Sequence, residues 1–444
     1  MSIERTRPNA DQADRLIQTQ QQIRDRMTEI RDILQKGSPG IVYGFHIASD
    51  ESDPDARVTY VAGAVGATPA YMDFTAGVFV WGSWRDAFFL PKPCMLKYDG
   101  TVDYYLDQND YTKKANGEAS DVADLAYGGN AMMEWGQGGR KIWYKIVPDA
   151  DPTGATVYIA DYQVDSGYKD WAFRDKNGNQ IDHFYTPIYN GHLDSSNRMR
   201  SMSGQAYTKS LTATKEREYC RNNGADIWDT EVYCDIILIN LLLTLMCKST
   251  STQAKFGTGL TDSGSQAINE GFTTGVHNDK GLFYGTNSGA AATYTNAVKI
   301  FGMENWWGFA WRRFGGLIND NGTMRYKMTR SKADGSDVDD YVVSTSAEAY
   351  TGYLEGNALP TASGSYISKE TFDSNQCCPS EASGSASAYY CDGLWTNNNQ
   401  VDYAYRGGRS GVGARCGAWC LGLDIAASYA NWSFAAAPSC KPLS

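Results

Sequence analysis

Two cysteines near the C-terminus, Cys416 and Cys420, have the sequence surroundings best suited to covalent chemistry in this 444-residue chain. They follow an Arg406-Gly-Gly segment and stand beside Arg415, and a reactive thiolate needs such an electropositive, partly exposed setting. A nucleophilic cysteine also needs a neighbouring base. No histidine lies near Cys416 or Cys420 in the sequence, because the last of the four histidines is His277. We therefore expect buried structural cysteines and assign no catalytic residue.

Metal binding is the second chemistry that these residue types allow. The ten cysteines contain no Cys-x-x-Cys pair and the histidines form no cluster, so we predict no metal site and no cofactor. Residues 175–182 superficially resemble a calcium loop but lack its glycine at the sixth position and its glutamate at the twelfth, which favours a hairpin turn. Reduced thiols are expected, with a local disulfide among Cys391, Cys416, Cys420 and Cys440 as the alternative.

The segment from Tyr405 to the C-terminus combines small residues with chemically unrelated ones. Its glycines and alanines stand at positions 407, 408, 411, 413, 414, 417, 426, 427 and 430. Small residues let backbones approach closely, so the side chains between them are expected to point outward. These are Arg409, Val412, Arg415, Gly422, Asp424, Ile425, Ser428, Tyr429 and Ser433. Arg and Tyr are typical binding hot spots, so the segment predicts a binding surface.

The composition argues against two classes of partner. The net charge is -11, and no stripe of Lys and Arg is present to match a phosphate backbone, so we expect no nucleic acid. The longest apolar run, Ile236–Met246, is shorter than the roughly 20 residues that span a bilayer, and the first residues lack the apolar core of a secretory signal. We therefore expect no membrane insertion, and a buried core helix at this run.

Three kinds of segment position the predicted surface. In residues 1–37, Leu16, Ile23 and Ile30 recur every seven residues, which predicts either an oligomerising coiled coil or an amphipathic helix on its own domain. Residues 40–185 contain short runs of β-branched and aromatic residues, such as VYGFHIA and KIWYKIV, and predict a β-rich domain. Two helices follow, one after a Thr212 cap and one over residues 229–248. We predict an α+β chain with domains at 1–37, 40–185 and 186–444.

The segment Phe301–Arg313, FGMENWWGFAWRR, concentrates tryptophans between glycines. Core packing of Trp306, Trp307 and Trp311 is favoured over an exposed aromatic platform for sugar or peptide. The segment resembles the Gly-(Ile/Met)-Glu-Asn-x-Trp-Gly-x-x-Trp signature of phage and prophage tail proteins with a C-type-lectin-like fold, which formylglycine-generating enzymes share. The upstream helix pair and FGTG occur in the same order as in those proteins, so the resemblance covers roughly residues 185–444.

The C-terminal segment resembles the variable region of proteins diversified by retroelements, of the major tropism determinant type. In that family asparagine codons are randomised at adenines, which yields Arg, Val, Gly, Asp, Ile, Ser or Tyr but never Trp, Met, Lys or Glu. All nine outward residues belong to the permitted set. Trp419 and Trp432 do not, so we assign them to the framework together with the three earlier tryptophans. The alternative is that the nine are ordinary loop residues with no history of diversification.

This resemblance implies a virion protein of a phage tail or head fibre, made in the host cytoplasm. It implies binding of a host cell-surface protein or glycan through residues 186–444, a homotrimer, and attachment to other virion proteins through the N-terminal region. The alternative is a purely structural fibre protein without a receptor. An oxidase like the formylglycine-generating enzymes is disfavoured, because the surroundings of Cys416 and Cys420 do not match that family's catalytic segment.

Overall fold

The computed structural model describes residues 40–224, 226–262, 271–290, 294–329, 338 and 351–444. The predicted N-terminal helix and its heptad seam lie outside the described residues. Residues Val42–Ser444 form one compact unit, built mostly of strands with few helices, so the prediction is confirmed to the extent of a β-rich protein that also carries helices. Within the described residues, no helix is long and apolar enough to cross a membrane.

The strands are short and run through the whole unit. In chain order they are β1 Val42–Ile47, β2 Val58–Ala62, β3 Tyr71–Asp73, β4 Val78–Val80, β5 Lys92–Lys97, β6 Val102–Tyr105, β7 Gly129–Trp135, β8 Trp143–Pro148, β9 Ala155–Ala160, β10 Phe184–Pro187, β11 His192–Leu193, β12 Met199–Arg200, β13 Trp228–Thr230, β14 Lys299–Ile300, β15 Met303–Glu304, β16 Trp311–Asp320, β17 Thr323–Lys327, β18 Thr351–Ala358, β19 Ala362–Tyr366, β20 Lys369–Phe372, β21 Cys377–Glu381, β22 Gly393–Thr396, β23 Val401–Arg406, β24 Leu421–Leu423, β25 Phe434–Ala435 and β26 Pro438–Cys440. The α-helices are α1 Ala213–Arg221, α2 Tyr233–Cys247 and α3 Thr252–Phe256.

Three sheets hold most of these strands. An antiparallel sheet has the order β2-β1-β9-β8, and its four strands lie in segments predicted as strands. A six-stranded sheet has the order β13-β26-β10-β7-β5-β6, and a third has the order β18-β17-β16-β23-β24-β22-β19 with β25 beside β16. The six-stranded sheet combines strands from both sides of residue 185. The division at that residue therefore has no counterpart in the strand pairing and stays a prediction.

Helix α2 lies in the main core. Each of its 15 residues is buried, which confirms the predicted core helix, since a helix that is apolar on every side must be covered all round. The predicted start at Asp229 is wrong, because residues 228–230 pair with β26 as strand β13. Asp229 instead accepts two hydrogen bonds from the Arg217 guanidinium of α1, at 2.9 and 2.7 Å, which ties α1 to the six-stranded sheet.

Helix α1 begins directly after Thr212, as its sequence predicts. The hydroxyl oxygen of Thr212 accepts a hydrogen bond from the backbone N–H of Lys215 at 3.3 Å, which satisfies an amide with no acceptor inside the helix. After the helix the chain turns at Gly224, whose φ of 156° suits a residue without a Cβ.

The tryptophans of the 301–313 segment lie inside the protein. The side chains of Trp306, Trp307 and Trp311 are 1%, 0% and 6% exposed. The indole N–H of Trp306 donates to Asn240 of α2 at 3.4 Å, and that of Trp307 donates to the carbonyl of Gly257 at 3.0 Å. Core packing of the three rings is therefore confirmed, and these two buried indoles keep a hydrogen-bond partner.

His277 is a buried histidine whose neutral form the fold favours. Its ring packs on that of Tyr284, with centroids 4.5 Å apart. Burial, assisted by the positive charge of Lys299, lowers the pKa of His277 to about 4. Because the unfolded chain takes up this proton near its ordinary pKa of about 6.5, folding stability must fall as the pH drops from 6.5 towards 4.

We expect this histidine to make the protein acid-sensitive. When the pH is lowered from 7 to 5, the free energy of unfolding of the wild type, measured in urea, should fall by about 2 kcal/mol more than that of His277→Gln. His192→Gln replaces a half-buried histidine that bonds the carbonyl of Ala206, and it should retain the wild-type loss. Equal losses in the wild type and His277→Gln would contradict the assignment.

Candidate binding surface

Strands β23, β24 and β25 fix the C-terminal segment as far as Ala435, and two loops lie between them. Strand β23 pairs with β16 and β24, and β25 lies parallel to the start of β16. The first loop, residues 407–420, is bonded to neighbouring loops: the N–H groups of Gly411 and Gly413 both donate to the carbonyl of Thr261, at 2.7 and 3.1 Å. The second loop, residues 424–433, is bonded to the entry of α1, where Ala213 N–H donates to Ala427 at 2.9 Å. Backbone contacts thus set the course of both loops.

Glycine is required where the first loop leaves β23. Gly407 and Gly408 have φ of 83° and 81°, in the left-handed region that favours glycine. A Cβ on Gly407 would lie 2.8 Å from the carbonyl oxygen of Trp306, and one on Gly408 would lie 2.3 Å from the sulfur of Cys416. These two positions confirm that small residues shape this part of the backbone.

Seven of the nine predicted surface residues are accessible. Arg415, Ser428 and Tyr429 are exposed, and Arg409, Val412, Asp424 and Ile425 are half-buried. We call these seven residues the binding surface. They include two cations, one carboxylate, one phenol, one hydroxyl and two aliphatic side chains, so the surface offers both apolar and polar contacts.

Gly422 and Ser433 were predicted to point outward, and for these two the prediction is wrong. Gly422 is buried in β24 between β22 and β23, and a Cβ there would lie 1.9 Å from ring atoms of Tyr405. Ser433 is 6% exposed, and its hydroxyl donates to the side-chain oxygen of Asn431 at 2.9 Å. The set of residue types that the resemblance permits, here called the codon rule, does not predict exposure. Exposure depends on how each residue packs in the sheet.

Trp419 and Trp432 were both assigned to the framework and have different surroundings. Trp419 is 5% exposed and packs edge-on against Tyr390, with ring centroids 5.6 Å apart. Trp432 is half-buried, and the guanidinium of Arg409 lies 5.6 Å from its ring centroid. Its carbonyl accepts the hydroxyl of Tyr207 at 2.7 Å. Its backbone therefore supports the second loop, while its ring borders the binding surface.

Side chains of the binding surface are partly oriented by their neighbours. The Nε–H of Arg415 donates to the carbonyl of Gly364, and its guanidinium lies 5.2 Å from the ring centroid of Tyr366. Asp424 accepts the hydroxyl of Tyr405, and burial raises the pKa of this aspartate above its usual value. Orientation in the free protein lowers the entropy lost on binding.

Beneath the loops lies a buried ion cluster that sequence reasoning missed. Glu231 accepts hydrogen bonds from Arg406, at 2.8 Å, and from Arg312, at 3.3 Å, and each of the three side chains is no more than 3% exposed. Arg406 also stacks 3.5 Å from the Trp306 ring centroid and donates to the Trp306 carbonyl at 2.8 Å. The partners are 81 and 175 residues apart in sequence, so no local pattern could have indicated them.

A second buried pair supports the 424–433 loop. Arg313 donates to Glu216 of α1 at 2.9 Å and to the backbone carbonyl of Tyr429. Burial raises the pKa of Glu216 to about 7, although the arginine opposes the shift. Arg313 therefore holds the backbone at Tyr429, whose side chain is exposed.

The cysteine and metal chemistries considered above find no support in the geometry. All ten cysteines are free and buried. Burial raises the pKa of the thiols of Cys416 and Cys420 well above the usual range, which disfavours the thiolate needed for catalysis. Residues 175–182 form the predicted turn, in which Asp175 accepts the N–H groups of Asn177 and Asn179. Over the described ranges, no group of three His, Cys, Asp or Glu side chains could hold a metal ion.

Comparisons with known proteins add no identification. No family model matches the chain, and no curated protein matches its sequence. The interpretation of the surface therefore depends on its own residues and on the geometry described above.

Proposed function

We propose that this chain is a phage virion protein that binds a receptor on the host cell through the binding surface. In this proposal residues 186–444 belong to the C-type-lectin-like class, and the N-terminal region joins the chain to other proteins of a tail or head fibre. Three copies assemble as a homotrimer, so three weak sites act together and raise the apparent affinity without new contacts.

One observation carries the proposal: seven chemically unrelated side chains stand on loops whose backbone is held by other parts of the protein. Strands β23 and β25, glycines at the start of the first loop and the bonds to Thr261 fix the course of the chain. Binding residues are commonly found on loops that a rigid scaffold positions. A backbone fixed in this way tolerates exchange of the exposed side chains, as the diversification hypothesis requires.

The chemistry of the surface suits a mixed polar and apolar partner on the host. Arg409, Arg415 and Tyr429 can donate hydrogen bonds, while Val412 and Ile425 supply apolar area. Arginine and tyrosine are enriched among residues that contribute most to binding. A host cell-surface protein or glycan matches this combination.

Replacement of Arg409, Arg415 and Tyr429 together by alanine should abolish adsorption of the particle to its host. These side chains are exposed or half-buried, so the melting temperature of the purified protein should stay within about 2 °C of the wild type. A matched variant, Lys97→Ala with Lys113→Ala and Tyr162→Ala, removes three exposed side chains elsewhere and should adsorb normally. Normal adsorption of the first variant would show that the receptor site lies elsewhere.

A further inference from the structure

A cleft with a volume of ≈ 220 Å³ opens beside the first loop of the binding surface. Ala414, which immediately precedes Arg415, forms part of its wall. Phe74, after β3, and Gln253 of α3 also line the cleft. The cleft is below the roughly 300–1,000 Å³ of sites for drug-sized ligands, so it suits a single ring or a short side chain.

The polar lining of this cleft is rich in neutral hydrogen-bonding groups. Gln253, Thr258 and Asn287 contribute amides and a hydroxyl, and none of the described residues that line the cleft is a lysine, arginine or histidine. The nitrogen of the Gln253 amide donates to the carbonyl of Cys416 at 2.6 Å, which fixes this side chain against the first loop. The half-buried ring of Phe74 adds an aromatic surface.

Asp392 is the carboxylic acid among the described lining residues, and it is 1% exposed. One of its oxygens accepts the backbone N–H of Trp419 at 2.8 Å. A Cβ on Gly417 would lie 2.1 Å from the other oxygen, so the loop closes tightly over the carboxyl group. The Asp392 carboxyl group is therefore held by the backbone of the first loop, the same loop that carries Arg415.

We propose that this cleft binds one sugar ring of a neutral glycan. The amides of Gln253 and Asn287 and the hydroxyl of Thr258 can donate to and accept from several hydroxyl groups at once, and the ring of Phe74 can cover the apolar C–H face of a sugar. Since the described lining carries no basic side chain, it disfavours anionic ligands such as phosphate or a free carboxylate. The inference rests on the proposed receptor-binding function and specifies a glycan as the receptor component next to Arg415.

Ligand-observed saturation-transfer NMR on the full chain tests the site, with glucose, galactose, mannose and N-acetylglucosamine as separate probes. At least one sugar should receive saturation from the protein. Asn287→Ala removes an exposed amide of the lining and should weaken that binding about tenfold, as expected for one lost hydrogen bond. Ala254→Trp adds bulk at an exposed lining position and should remove the signal, whereas Ala126→Trp, at an exposed position outside the lining, should retain it.

Three outcomes would overturn the inference. They are no transfer to any of the four sugars, transfer that persists in both Asn287→Ala and Ala254→Trp, and binding of butylamine but no sugar, which would indicate a site for a lysine side chain of a protein receptor. The adsorption experiment is independent of these results. If the triple variant loses adsorption and no sugar binds, the receptor surface stands and the glycan cleft falls.

Discussion

Replacement of Glu231 by alanine is expected to lower the free energy of unfolding by about 3–5 kcal/mol, the range typical of breaking a buried ion pair on one side. The side chain is 1% exposed and bonds the guanidinium groups of Arg312 and Arg406. Its removal leaves two buried cations without their carboxylate. Burial already lowers the pKa of Arg406 to about 10, even though Glu231 opposes the shift, so this arginine is costly to keep charged.

Two companion variants separate the charge from the general effect of mutation. Glu231→Gln keeps an acceptor oxygen but not the charge, and its stability should fall between those of the wild type and Glu231→Ala. Glu218→Ala breaks an exposed pair with Lys215, which measures 2.7 Å, and should cost less than about 1 kcal/mol. All four proteins would be compared by urea unfolding at one pH.

The consequence for function follows from the position of Arg406. It ends strand β23, directly before Gly407 and Gly408, so its displacement would release the start of the first loop. We therefore expect Glu231→Ala to lose adsorption at temperatures where it remains folded. A loss of stability below about 1 kcal/mol would contradict the assigned role of the cluster.

Local patterns in the sequence predict much of the secondary structure. Short runs of β-branched and aromatic residues identify strands such as β1 and β9, and an unbroken apolar run identifies α2 as a core helix. Such local patterns do not predict contacts between segments that are distant in sequence. The second helix begins later than predicted because residues 228–230 form β13 and pair with β26. This pairing joins residues that are more than 200 positions apart in sequence.

The candidate site likewise has features that local sequence predicts and features that depend on long-range packing. The preference of left-handed backbone for glycine makes Gly407 and Gly408 recognisable as framework from sequence. The exposure of a residue between small neighbours depends on the side chains of the strands that pair with it, and Gly422 is covered by its cross-strand partner Tyr405 of β23. Sequence reasoning therefore found the segment and seven of its accessible side chains, but not its buried supports.

Substitution of Gly422 by isoleucine is expected to destabilise the protein by about 3–5 kcal/mol, comparable to truncating a buried aromatic side chain. A Cβ would lie 1.9 Å from ring atoms of Tyr405, so this ring must leave its place. Tyr405 packs edge-on against Trp311 and Phe434, with centroids 4.8 and 5.2 Å apart, and bonds Asp424. All these contacts would be lost together.

Isoleucine is an informative choice because the codon rule permits it at a diversified position. Ser428→Ile places the same side chain at an exposed position of the second loop and should change stability by less than about 0.5 kcal/mol. If the clash with Tyr405 causes the loss, the double variant Gly422→Ile with Tyr405→Ala should be more stable than the sum of the two single changes predicts. Thermal and urea unfolding of the four variants would measure this coupling.

The result decides which positions can vary in the diversification hypothesis. A strongly destabilised Gly422→Ile would assign Gly422 to the framework and restrict free variation to residues that reach solvent. A variant as stable as the wild type would mean that Tyr405 can turn outward without cost, and that its ring belongs to the binding surface whenever residue 422 is large. In the first case the limit on diversity at residue 422 is set by packing against Tyr405 of β23 rather than by the codon, because a substitution that unfolds the sheet cannot present a binding surface.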